Sequence, residues 1–165
     1  MDLSRTLRHL FTTDGTLKRA FADADLTAIE QATAAGERRH DGEVRFAVEA
    51  ALDTPALLRG QSAHERAVEV FANLHVWDTE RNNGVLIYLL LADRDVEIVA
   101  DRGIHAKVGD AQWEAICRSM ETAFRGGRYK DGVIAGIAAV TEQLALHFPA
   151  TAAGVNELPD KPAVI

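Results

Sequence analysis

The sequence predicts an α/β fold: a three-layer α/β/α sandwich around a small mixed sheet, with a parallel first pair of strands and then an antiparallel hairpin. Three observations lead there. Gly84 to Ala92, GVLIYLLLA, is an almost unbroken apolar run, too short to span a membrane and too apolar for a half-solvated strand, so it reads as a buried central strand. Asp93, Arg94 and Asp95 then turn the chain, and Val96, Ile98 and Ala100 alternate with Glu97, Val99 and Asp101, the period-two pattern of a strand returning antiparallel. An earlier alternating strand, helix and central strand imply a right-handed crossover, hence parallel pairing.

The elements follow in order. Residues 1–42 form an N-terminal helical region, with Leu17, Phe21, Leu26 and Ile29 at helical spacings and Asp25 as N-cap of a helix reaching about Arg39. Asp41-Gly42 stops it. Val44, Phe46 and Val48 alternate with Glu43, Arg45 and Glu49 in the first strand, which opens a domain over residues 43–148. Ser62-Ala63-His64-Glu65 is a capping box, and the helix behind it carries Ala67, Val70, Phe71 and Leu74 on one face. After the hairpin, Asp110 caps a helix bearing Trp113, Ile116, Cys117, Met120 and Phe124, ended by Gly126-Gly127. The last helix, Tyr129 to Phe148, has a long apolar face, and four such helices suffice to cover both faces of a small sheet. Residues 149–165, punctuated by Pro159 and Pro162, are either a loose arm or an extended segment docked by Leu158 and Val164.

Composition narrows the function. A formal charge of −7 without a Lys/Arg cluster argues against a grip on nucleic acid phosphates. No apolar run is long enough for a transmembrane segment, and Met1 to Phe11 is amphipathic without the core of a signal peptide, so a cytoplasmic location is expected. The single cysteine, Cys117, sits inside a helical pattern and reads as a packed thiol. The six histidines are scattered, with no i, i+4 pair of a helical zinc site. Gly126-Gly127-Arg128 could cradle an anion, but a helix terminator is the simpler reading.

Hairpin geometry brings the entry of the central strand beside the exit of the next, so Asp78, Asn82, Asn83, Asp101 and Arg102 are expected in one surface concavity. Carboxylates and amide oxygens in one cluster suit a hard cation, Ca2+ or Mg2+, with Asp78 and Asp101 as metal ligands and Asn82, Asn83, Arg102 and His105 as ligand-binding residues. A purely structural reading competes. Asp78 caps the turn, Asn82-Asn83-Gly84 supplies residues tolerant of positive φ, and Asp101 pairs with Arg102 or Arg81.

The same segment resembles the TPM domain family, which includes thylakoid-lumen phosphatase-like proteins, a photosystem II repair protein and a nematode receptor modulator. The matching features are Asp78, Asn82-Asn83-Gly84, the apolar strand to Ala92, Asp93-Arg94, the strand Val96 to Ala100, Gly103, and Tyr129-Lys130-Asp131-Gly132. The resemblance spans roughly Glu43 to Phe148. Where many members have Thr-Gly-x-Gly-Leu-Glu, this chain has Ala100-Asp101-Arg102-Gly103-Ile104-His105, which marks a divergent branch and places His105 at an acidic family position. The resemblance implies a non-catalytic binding or assembly module for membrane-protein maintenance, with a LemA-type membrane protein as partner at the inner membrane surface. The alternative is a metal-assisted phosphatase in which Asp78 or Asp101 holds the cation and Arg102 faces the phosphate. Against it, the chain lacks a P-loop, a Cys-x5-Arg signature and an Asp-x-Asp nucleophile.

Overall fold

A computed structural model describes residues 3–152 and 154–165. Helices α1 (Leu3–Phe11), α2 (Asp14–Ala20) and α3 (Asp23–Glu37) precede strand β1 (Glu43–Glu49). Helices α4 (Thr54–Leu58) and α5 (Ala63–Asn73) lead to the hairpin β2 (Gly84–Leu90) and β3 (Asp95–Ala100). Helices α6 (Arg102–Val108), α7 (Asp110–Arg125) and α8 (Tyr129–His147) follow, and the chain ends in β4 (Ala163–Val164).

The sheet order is β3-β2-β1-β4. β1 and β2 are parallel, in register from Glu43 opposite Gly84 to Glu49 opposite Leu90, and β3 returns antiparallel with Val85 opposite Ala100. This is the expected mixed sheet. Val85, Ile87 and Leu89 face a core built with Leu17, Ile29, Ile104, Trp113, Phe124 and Val140, while Leu86, Tyr88 and Leu90 face Ala56, Ala67, Val70 and Leu158 on the other side. Burial on both faces explains why GVLIYLLLA carries no alternation, and each such side chain removed from water is worth about 1.5–3 kcal/mol.

All seven residues of β1 are buried, its polar ones included. Burying charge is costly unless every group finds a partner. Glu43 accepts from the amides of Glu157 and Leu158 at 2.9 and 3.1 Å, and Arg45 donates to the carbonyls of Pro159 and Lys161. Glu49 receives Arg66 at 2.9 and 3.1 Å and the Tyr88 hydroxyl at 2.7 Å. The C-terminal segment is thus docked on β1, with Leu158 buried and β4 pairing parallel to it, whereas Val164 is exposed.

Local signals differ from the sequence reading at several places, the short helix α4 among them. Asp25 is not the N-cap of α3; the cap is Ala22, whose amide donates at 3.1 Å to the Asp25 carboxylate reaching back from the first turn, where the backbone donors have no partner within the helix. Asp110 is the first residue of α7, capped by Gly109 at φ 81°. An additional helix, α6, opens directly behind β3. The Ser62–Glu65 capping box forms as expected, with Ser62 Oγ accepting from the Glu65 amide at 3.1 Å.

Candidate functional site

The hairpin's open end is where β2 begins and β3 hands over to α6. The ladder runs one step past β3, since the Asp101 amide donates to the Gly84 carbonyl at 2.8 Å. The loop entering β2 is held by Asp78 N–H to His75 O at 2.9 Å and by Asn83 N–H to Thr79 Oγ1 at 3.1 Å, with Asn82 at φ 51°. Two glycines permit this packing. A Cβ on Gly84 would stand 2.0 Å from the Val76 carbonyl oxygen, and one on Gly103 would stand 2.4 Å from that of Asn82, so only glycine lets α6 press against the loop.

Within this frame Asn83 is fully buried and its amide nitrogen donates to Asp41 O at 2.9 Å, while its Oδ1 is buried without a hydrogen-bond partner. Asp101 behaves similarly. Its Oδ1 accepts from the Arg102 amide at 2.7 Å as N-cap of α6, and its Oδ2 is buried and unpartnered. Two acceptor oxygens lacking donors are costly unless something else satisfies them.

The remaining predicted residues take different surroundings. Asp78 and Asn82 are exposed, and Asn82 contributes its carbonyl, which accepts from the Ile104 amide at 3.2 Å. Arg102 and His105 line a cavity of about 620 Å³ that runs along β3 between α5 and α7; Asp78, Asn82, Asn83 and Asp101 do not line it. His105 Nε2 stands 3.5 Å from Asp110 Oδ1. Arg81 does not reach Asp101. It donates to Asp41 Oδ2 at 3.1 Å and lies over the Phe148 ring. Among the described residues no three His, Cys, Asp or Glu side chains converge as a metal-holding group, so a cation here would complete its shell with water and main-chain or amide oxygen. Both orphaned oxygens are hard donors, the type that such ions prefer.

Cys117 is a packed thiol: burial, with Glu97 nearby, pushes it up to about 12, far from the reactive thiolate range. Sequence reasoning missed two carboxylate hubs. Asp41 accepts the Thr151 hydroxyl and amide and Arg81, and the Thr151 bonds hold its carboxyl below the usual range. Asp93, at the hairpin turn, lies 2.9 Å from Arg5 Nε, 3.3 Å from Arg8 Nη2 and 3.1 Å from His9 Nε2. Burial alone would raise Asp93, but the hydrogen bond from Arg5 and the close approach of the His9 ring outweigh it and leave its carboxyl below the normal value. Both aspartates had only a turn signal, because their partners are remote in sequence.

The family model of the TPM domain matches residues 16–143, which reaches N-terminal of the stretch carrying the sequence resemblance. Among solved structures the chain is similar to the BA42 protein of the psychrophilic bacterium Bizionia argentinensis, at 29% identity and TM-score 0.76, covering 88% of this chain and 95% of that one. It is also similar in fold to the N-terminal domain of a P. gingivalis protein, at 20% identity and TM-score 0.62, covering 79% and 82%. No curated protein matches the chain.

Proposed function

The chain belongs to the TPM domain family, and from that premise we propose that it is a non-catalytic binding module whose hairpin end takes a divalent cation, Ca2+ or Mg2+. The observation carrying this reading is the pair of buried, unpartnered oxygens, Asn83 Oδ1 and Asp101 Oδ2, at one end of the hairpin. Asp78, exposed on the loop entering β2, is proposed as a further carboxylate ligand of that ion. The buried thiol of Cys117 is unsuited to act as a nucleophile, which bears on a cysteine-based reaction and not on metal-assisted hydrolysis. The partner proposed is a LemA-type membrane protein, on the strength of the family resemblance alone. No helix among the described residues is long and apolar enough to cross a membrane.

Thermal unfolding with Ca2+ or Mg2+ tests the cation. At a hundredfold excess over its dissociation constant an ion adds about 2.7 kcal/mol to the native state, which raises Tm by roughly 5–10 °C in a chain of this size. Asp101→Asn keeps the capping oxygen and should abolish that rise, and Asp78→Ala should diminish it. No shift in the wild type sinks the cation site. Turnover of a phosphomonoester under the same ions would overturn the non-catalytic reading in favour of a metal-assisted phosphatase.

A further inference from the structure

Helix α1 packs inside out. Its polar residues Arg5 and His9 turn inward, where they meet Asp93 and where His9 Nδ1 accepts from the buried Leu52 amide at 3.0 Å. Its apolar residues Leu3, Leu7, Leu10 and Phe11, spaced as one helical stripe, face solvent at 67%, 45%, 59% and 77% exposure. A surface helix normally does the opposite. The other large exposed apolar side chains among the described residues are dispersed over α4, α5, α8, the loop before β2 and the C-terminal segment. Single exposed apolar residues need no explanation, but a continuous stripe marks a contact surface.

The surroundings indicate what that surface meets. Leu7 and Phe11 border an open cavity of about 920 Å³ shared with Arg8, Arg19 and Arg94, against one acid, Asp93, already bonded to Arg5 and Arg8. This is a basic rim on a chain whose formal charge is −7. An apolar stripe flanked by arginines, on a helix latched to the fold by its polar face, is the layout of a helix lying in a lipid interface. We infer that α1 seats the protein on an anionic bilayer, with Leu3, Leu7, Leu10 and Phe11 entering the headgroup boundary and Arg19 and Arg94 facing lipid phosphates. Asp93 then works as the clamp that keeps the polar face of α1 on the protein and the apolar face outward. The inference does not rest on the cation site, which lies at the other end of the hairpin.

Co-sedimentation of the full chain with vesicles of phosphatidylcholine, with and without phosphatidylglycerol, in chelator to remove divalent ions, tests it. The chain should sediment with the phosphatidylglycerol vesicles and release as salt rises, because screening weakens the attraction of arginine for phosphate. Leu7→Glu with Phe11→Glu alters only exposed positions and should lower the vesicle affinity about tenfold or more while leaving the circular dichroism and Tm unchanged. Arg19→Glu with Arg94→Glu should remove the preference for phosphatidylglycerol. No binding to either vesicle, or binding indifferent to the Leu7 and Phe11 changes, overturns the inference. So does a concentration-dependent dimer of the wild type that dissolves on the same changes, since the stripe would then belong to a second copy. Binding that needs Ca2+ and vanishes in Asp101→Asn would also overturn it, while leaving the hairpin-end cation intact.

Discussion

The two ends of the β2–β3 hairpin use aspartate in opposite ways. At the turn, Asp93 is saturated: three cationic or imidazole groups from α1 converge on one carboxylate that is mostly shielded from solvent. At the open end, Asp101 spends one oxygen on the first amide of α6 and holds the other buried with no donor. The difference teaches where to look for structure and where for binding. A saturated carboxylate holds α1 to the sheet, whereas a carboxylate with one buried, unpartnered oxygen carries an unmet desolvation cost, and that cost is what the proposed cation would relieve.

The largest effect expected from breaking this contrast is at the turn. Asp93→Ala leaves the fully buried His9 and the partly buried Arg5 facing a void, and hydrogen bonds to charged groups of this kind are worth about 2–3 kcal/mol in total here. The carboxyl's folded-state value is lowered, so its contribution is present above its unfolded value of about 3.8 and disappears as pH falls through the folded value. Urea unfolding of wild type and variant should therefore show a wide gap at neutral pH that closes in strong acid. A gap that persists in acid would mean that packing, not the charged clamp, holds α1. Hydrogen exchange should also locate the loss in α1.

At the open end, Asp101→Ala removes the cap of α6 and should cost about 1 kcal/mol. Equal stability of Asp101→Ala and Asp101→Asn in the absence of divalent ions would show that the cap is unimportant. A deficit confined to the alanine variant, with the cation response lost in both, would separate the oxygen that caps from the oxygen that binds.

The sheet was readable from the sequence because its signals are local. A continuous apolar run, a period-two strand and a capping box each report the environment of a few consecutive residues, and β1, β2, β3 and α5 appear where those patterns stand. The hairpin also told correctly which polar residues enter and leave its open end. What stayed hidden depends on partners far along the chain. Asp93 meets Arg5 across 88 positions, and Arg45 meets the Pro159 carbonyl across 114, so neither the latch of α1 nor the docking of β4 leaves a local trace. Helix α6 was concealed because Asp101-Arg102-Gly103 also reads as a strand exit, and its presence aims Arg102 and His105 into the cavity along β3 and away from Asn83. The inverted stripe of α1 was visible as amphipathicity, but periodicity cannot say which side faces the core.

The smallest expected effect lies two residues beyond the clamp and has the opposite sign. Asp95 is pushed up to about 6, chiefly by burial and then by the negative charges of Glu97, Glu121 and Asp93, with Arg5 only partly offsetting them. A carboxyl raised in the folded state costs nothing while both states are protonated; the native protein then loses stability as pH climbs from about 4 toward 6. Asp95→Asn removes that loss, so the variant should equal wild type near pH 4 and exceed it above pH 6, by a modest amount because Asp95 keeps partial contact with water and is screened. Parallel urea titrations at the two pH values provide the measurement. If Asp95→Asn is instead destabilising at high pH, Asp95 shares the clamping role of Asp93, and the turn end of the hairpin is held by two carboxylates in place of one.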